Sequence, residues 1–337
     1  MQRRTLLTAA ALATPASLFT PSVHAQPAQQ TASLRLKWLP QTQFAGFYLA
    51  KARGYYAAEG IDLTINPGGP NLLTESLVAT GADTFGISGG TDSVLAARAK
   101  SLPVICVGIS HQRTPFVFVS RIDGPVKIIQ DFRGKTITAW FTGANYILLG
   151  MIAQAGMKPG DINLQPQQVS VTPFVDGQVD VITATVYNEY DTLVTRMGAD
   201  KLRRFVPEDY GVTVPRDTVI TSEQVAKDKP EMVQGFLRAS MRGWREALAT
   251  PKDGVDTVMA IAPTLDRPHQ EFMLTEAGKL MTTGEAGTKG LFWIDQAAVQ
   301  KAHDFLLQYD VIKQPVDLVQ AFDRRYLEAI PLASRMA

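Results

Sequence analysis

The chain has 337 residues, 19% of them charged, and a formal net charge of +1 with no run of like charge. That is enough chain for two domains of ordinary globular composition. A balance this close to neutral gives no electrostatic case for nucleic acid or an anionic membrane as a partner.

Residues 1–25 read as an export signal. Arg3-Arg4 is followed by Thr5-Leu6-Leu7, a short apolar run to Phe19, and a small-x-small cleavage site at Val23-His24-Ala25. The twin arginine matches part of a Tat signal, and a Sec signal with two leading arginines fits as well. The run is interrupted by Pro15 and makes a poor membrane anchor. Its removal takes away two cations and no anion, leaving 31 basic against 32 acidic residues. The expected product is periplasmic and starts near Gln26. Cys106 is the one cysteine, so no intramolecular disulfide can form, and no lipid-bearing cysteine follows the signal. It lies in the apolar run Leu102–Ile109, where inert burial is expected.

Residues 26–32 read as a flexible leader. A strand is expected at 34–38 and a helix at 44–58, ended by Gly60. An alternating strand follows at Ile61–Ile65, then the turn Pro67-Gly68-Gly69-Pro70. Next come a helix at 71–79 stopped by Gly81, a strand at 84–87, a helix at 91–99 and a strand at 104–109. A second block has strands at 136–140, 168–171 and 179–183. Its helices are expected at 145–154, from Pro173 to Val175, and at 190–197. A strand at 218–222 precedes a helical C-terminal part, with helices at 232–248, 297–308 and 318–329. Alternating strands and helices indicate an α/β sheet in each block.

A weak internal echo links the blocks. Residues 77–86, LVATGADTFG, resemble residues 173–182, PFVDGQVDVI. Both read as helix, glycine cap, aspartate and buried strand, as two similar lobes would. The expected division is 33–117 with 218–337 for lobe I and 121–213 for lobe II. The crossings near Phe116–Arg121 and Val214–Ile220 would be hinge strands.

Enzymatic motifs are absent. There is no HExxH, CxxC, GxSxG, P-loop or GxGxxG, and His111, His269 and His303 stand alone in sequence. No catalytic residue, cofactor or metal is expected. The aromatics Trp38, Trp140, Tyr146 and Tyr187 fall in loops after strands, where open α/β sheets place ligands and where ring faces can hold a flat heterocycle. Gln41 accompanies Trp38. The loop Thr142-Gly143-Ala144-Asn145 opens a helix and can offer backbone N–H groups. Ser88 and Asp92 bracket a similar loop in the first block. Asn188 and Glu189 follow Tyr187, and a carboxylate there can accept paired N–H bonds from an amino-heterocycle. An anionic ligand would instead want a cation, and Arg113 is the loop candidate.

The segments WLPQTQFAGFYLAKARGYYAAEGIDL, ATGADTFGIS, AARAKSLPVICVG and DFRGKTIT resemble the ABC-transporter solute-binding proteins of the thiamine-pyrimidine-synthase-like group, over roughly residues 33–250. Formylaminopyrimidine-binding proteins belong to this group. The resemblance implies a type II periplasmic-binding-protein fold: two α/β lobes joined by two hinge strands, closing on a small heterocycle. A thiamine pyrimidine precursor is the leading expectation, with a flavin, sulfonate or nitrate as alternatives. It also implies a monomer that delivers its ligand to an inner-membrane ABC permease. Trp38, Tyr187 and Glu189 would hold the ring, helped by Ser88 and residues 142–145. The same group contains enzymes that make the thiamine pyrimidine. Their cofactor lysine falls at Ser88, their donor histidine falls at Asp92, and their cysteine-rich motif has no counterpart. Without those groups the synthase reaction is not expected.

Overall fold

The computed structural model describes residues 29–337. The export signal expected at 1–25 lies outside the described residues, as do residues 26–28 of the expected leader. Among the described residues, ten strands form two five-stranded mixed sheets. The first sheet contains β1 (Gln30–Arg35), β2 (Ile61–Asn66), β3 (Phe85–Gly90), β4 (Val104–His111) and β10 (Arg216–Ser222), in the order β2-β1-β3-β10-β4. The second contains β5 (Phe116–Arg121), β6 (Thr136–Ala139), β7 (Asn163–Pro166), β8 (Val181–Thr185) and β9 (Leu202–Phe205), in the order β7-β6-β8-β5-β9. Each sheet, with its helices, is one lobe.

The two orders are the same pattern. In each sheet the strand next to the last is antiparallel to both of its neighbours. The sequence echo maps onto it, because β3 and β8 occupy equivalent places. Before each strand the chain turns through a left-handed glycine, Gly81 at φ 77° and Gly177 at φ 79°, a conformation that costs glycine little. The aspartate that follows then ties its strand down. Asp83 accepts from Arg35 and Asn66, and Asp180 accepts from the Thr136 N–H at 2.9 Å.

Several elements depart from the sequence reading. β1 begins at Gln30, and Gln30–Ala32, expected in a leader, pair with Ile61–Leu63. The chain leaves the ladder after Arg35, so Lys37 and Trp38 are loop residues rather than strand. The helix expected at 44–58 breaks at Gly54, whose φ of 71° is not helical. The strand expected at 168–171 is at Asn163–Pro166 instead. It is a polar edge strand, and Val169 is exposed, so apolar content misled there. β9, not anticipated, is also an edge strand, with Arg203 and Arg204 at its centre. The helix expected at 318–329 is two short pieces, broken where the Asp323 N–H donates to the Cys106 carbonyl at 2.9 Å. The strands expected as crossings, β5 and β10, are interior strands bonded on both sides. The chain passes between the lobes in residues 112–115 and 206–215.

The helix Pro230–Ala249 packs its apolar face on the first lobe. Phe236 stacks on Phe85 at 4.0 Å between ring centroids, and Trp244 meets Phe47 edge-on at 5.8 Å. Cys106 is fully buried in this core. Burial pushes its thiol up to about 12, so no thiolate forms at neutral pH. Thiol-reactive dyes should leave native protein unlabelled and label one site in denaturant. Stoichiometric labelling of the folded chain would contradict the burial.

Candidate functional site

A cleft with about 500 Å³ of space, partly open to solvent, lies between the lobes. From the first lobe, the loop after β1 presents Lys37, Trp38, Gln41 and Gln43, β3 presents Gly89, and β10 presents Arg216 and Asp217. From the crossing segment comes Pro115, and from the second lobe come Phe116, Trp140, Thr142, Ala144, Thr185, Tyr187, Asn188 and Glu189. The rings gather into a wall. Trp38 meets Trp140 edge-on at 5.6 Å, and Phe116 lies tilted to Trp140 at 5.6 Å. Tyr187 is buried against His111 at 5.6 Å, and burial lifts its phenol well above the ordinary range.

Two carboxylates face this space. Glu189 opens the helix Glu189–Met197. It accepts from the Thr185 N–H at 3.0 Å and from Asn188 Nδ2 at 2.7 Å. Burial raises its pKa above the usual carboxylate value, with the Thr185 N–H opposing. Asp217, at φ 52°, accepts from Gln43 Nε2 at 2.5 Å and lies 3.7 Å from His111 Nδ1. Gln43 in turn accepts from Gln41 at 2.7 Å. The Trp38 loop is therefore held by a chain of amides that ends on Asp217.

The two cleft cations already have acidic neighbours. Arg216 Nη1 donates to both oxygens of the fully buried Asp92, at 2.6 and 2.7 Å. Its guanidinium lies 4.7 Å over the Phe116 ring of the other lobe. Lys37 donates to the Leu72 carbonyl at 3.3 Å. Burial lowers its pKa and the charge of Glu75 opposes the shift. Glu75 also accepts from the Ser88 hydroxyl and, at 3.3 Å, from the Gly89 N–H.

Of the residues singled out from sequence, Trp38, Gln41, Trp140, Thr142, Tyr187, Asn188 and Glu189 come together in the cleft. The others do not line it. Ser88 is buried on Glu75, and Asp92 is consumed by Arg216. Gly143 leaves room for the opposite lobe, since a Cβ there would fall 2.5 Å from Arg216 Nη2. Asn145 turns back to cap the Gly143 N–H at 3.3 Å. Tyr146 lines a neighbouring groove with Leu73, Lys100 and Phe141. Arg113 is exposed outside the cleft. The sequence reading missed Arg216 and Asp217, although a charged pair opening an apolar strand signals buried charges that need partners. It also missed Lys37, for which no signal was available: strand alternation would have turned it outward.

Among the described residues no group of three or more His, Cys, Asp and Glu side chains could hold a metal. No helix there is long and apolar enough to cross a membrane.

The chain is 29% identical to the riboflavin-binding protein RibY of Chloroflexus aurantiacus, across 96% of this chain and 94% of that protein. It is 26% identical to the formylaminopyrimidine-binding protein of Halalkalibacterium halodurans, across 88% of this chain and 90% of that one. Among solved structures, the alkanesulfonate-binding protein SsuA from Xanthomonas axonopodis pv. citri bound to MOPS superposes with a TM-score of 0.63 at 18% identity. The match covers 89% of this chain and 99% of SsuA, so the architecture is that of periplasmic binding proteins. The family model described as NMT1/THI5 like matches residues 41–254, and the chain belongs to that family.

Proposed function

We propose that this protein is the periplasmic receptor of an ABC importer. It closes its two lobes on a flat, uncharged nitrogen heterocycle and hands it to an inner-membrane permease. The observation that carries the reading is the composition of the cleft. Rings from both lobes face two buried carboxylates, Glu189 and Asp217, while Arg216 and Lys37 have Asp92 and Glu75 as neighbours. Two cations among four carboxylates cannot favour an anion. The surplus acceptors suit N–H donors on a ring edge, and the aromatic wall suits its faces.

A thiamine pyrimidine precursor is the first reading, because an aminopyrimidine presents such an edge to Glu189. Riboflavin is the second, favoured by similarity to RibY over nearly the whole chain. A sulfonate or nitrate is disfavoured by the charge balance and by the exposed position of Arg113. Synthase activity is disfavoured by Ser88 and Asp92, which the resemblance places where the enzymes have lysine and histidine, and which are both tied to internal partners. Ligand capture would shift a pre-existing equilibrium toward the closed arrangement.

Isothermal titration with formylaminopyrimidine, hydroxymethylpyrimidine, riboflavin and an alkanesulfonate separates these readings. Binding of a pyrimidine or of riboflavin, with none of the sulfonate, is the expected result. Sulfonate binding alone would overturn the heterocycle reading.

A further inference from the structure

Glu189 is connected to His269 of the opposite lobe through two hydrogen bonds, and a third returns from His269 to Asp191. Asn188 Nδ2 contacts Glu189 Oε1 at 2.7 Å. Asn188 Oδ1 contacts Nε2 of His269 at 3.0 Å, and Nδ1 of His269 contacts Asp191 Oδ2 at 2.7 Å. Glu189 and Asp191 belong to the helix Glu189–Met197 of the second lobe. His269 lies in the first turn of the helix Arg267–Thr282, which packs on the first lobe. Its neighbour Gln270 accepts from the Thr42 N–H at 2.9 Å and receives the Thr42 hydroxyl on its carbonyl at 2.7 Å. One helical turn therefore pins the Trp38 loop of one lobe and grips the Glu189 turn of the other.

Proton counting fixes what this chain requires. Its three contacts need three hydrogens between Glu189, Asn188, His269 and Asp191. If Glu189 is ionised, the Asn188 amide donates to it and presents its oxygen to His269. His269 must then donate from both nitrogens, and only the doubly protonated ring does so. If the Asn188 amide is turned over, it donates to a neutral His269, and Glu189 must carry the proton. Either way the intact chain holds one proton more than two carboxylates and a neutral imidazole.

We propose that His269 is a positioning residue for Glu189, and that closing the lobes through Asp191-His269-Asn188-Glu189 takes up one proton. The proposal rests on the reading of the cleft as a site that closes. Burial of Glu189, which lifts its pKa, works in the same direction.

The charged neighbours leave the count unchanged. The second lobe brings Asp191 and Glu189. The helix of His269 brings Asp266, whose carboxylate accepts the His269 backbone N–H at 2.9 Å, together with Arg267 and Glu271. The helix Pro251–Ile261 brings Asp256, paired with Arg267 at 2.8 Å. The turn Thr42–Phe44 has no charged residue. The other neighbours meet the far half of the His269 helix: Leu248 approaches Gly278, and the Gln112 N–H of the segment after β4 bonds the Leu280 carbonyl. His111 of β4 sits beyond Tyr187, beside Asp217.

The test needs no ligand, so its result is independent of which heterocycle binds. Cysteines at the exposed positions Ile128 and Ile261, one on each lobe, take spin labels, while Cys106 is buried and spared. Distance distributions of the ligand-free protein are recorded at a series of pH values. The closed population should fall as pH rises, with a limiting slope of about tenfold per pH unit, the signature of one proton. His269→Gln should lose most of the dependence, and Asp191→Asn, on a partly exposed side chain, should weaken it without unfolding. A pH-invariant distance in the unsubstituted chain, or an unchanged dependence in His269→Gln, would overturn the proposal.

Discussion

Arg216→Met should destabilise the folded protein by about 3–5 kcal/mol, the cost of leaving a buried charge without its partner. Asp92 is fully buried, and both of its oxygens are held by Arg216 Nη1. Burial already pushes its pKa up, and Arg216 is the main opposing influence. Removing the guanidinium leaves a carboxylate in a dry site, and also strips the contact over Phe116 that spans the lobes. Arg216→Met combined with Asp92→Leu should recover most of the loss, because an apolar pair of similar volume carries no desolvation cost. Denaturant unfolding of the single and double variants measures both. A single variant as stable as the parent would show that the pair does not carry this weight.

The second large effect concerns Glu189. Glu189→Ala should weaken heterocycle binding by about 10- to 100-fold, the range expected on losing a hydrogen bond to a charged acceptor. Glu189→Gln adds a pH signature. A carboxyl whose folded pKa lies above its unfolded value binds its proton more tightly in the native state. That contribution to stability is present at low pH and is lost as pH rises from the unfolded value of 4.5 through the raised folded one. Gln cannot titrate, so its stability relative to the parent should increase with pH across that window. Thermal melts at several pH values read this directly. A constant difference would mean that Glu189 is not perturbed by burial.

Much of the fold was legible in residue order. The helix–glycine–aspartate–strand echo at 77–86 and 173–182 survived as equivalent positions of two sheets, because a left-handed turn calls for glycine and a strand start can be tied by aspartate. The buried strands β3, β4 and β8 were readable because apolar runs must be covered. The edge strands β7 and β9 were not, since one side of each faces solvent and their composition is polar or charged. The aromatic and amide half of the cleft, Trp38, Gln41, Trp140, Tyr187 and Glu189, could be read from its loop positions after strands.

The other half depended on the tertiary structure, because it is made of pairs far apart in the chain. Ser88 and Asp92 looked like ligand groups from their loop, but the folded chain gives them Glu75 and Arg216 as partners. Arg216, Asp217 and Lys37 enter the cleft because β10 inserts between β3 and β4 and the chain leaves the sheet after Arg35. The link from Glu189 to His269 joins residues 80 positions apart through an amide between them. Sequence alone determined the class of molecule and the aromatic loops that line the cleft, since apolar period, glycine position and turn chemistry are local. Only the tertiary structure decided which charges are cancelled and which still face the ligand, because the electrostatic character of a buried group depends on the partner brought against it.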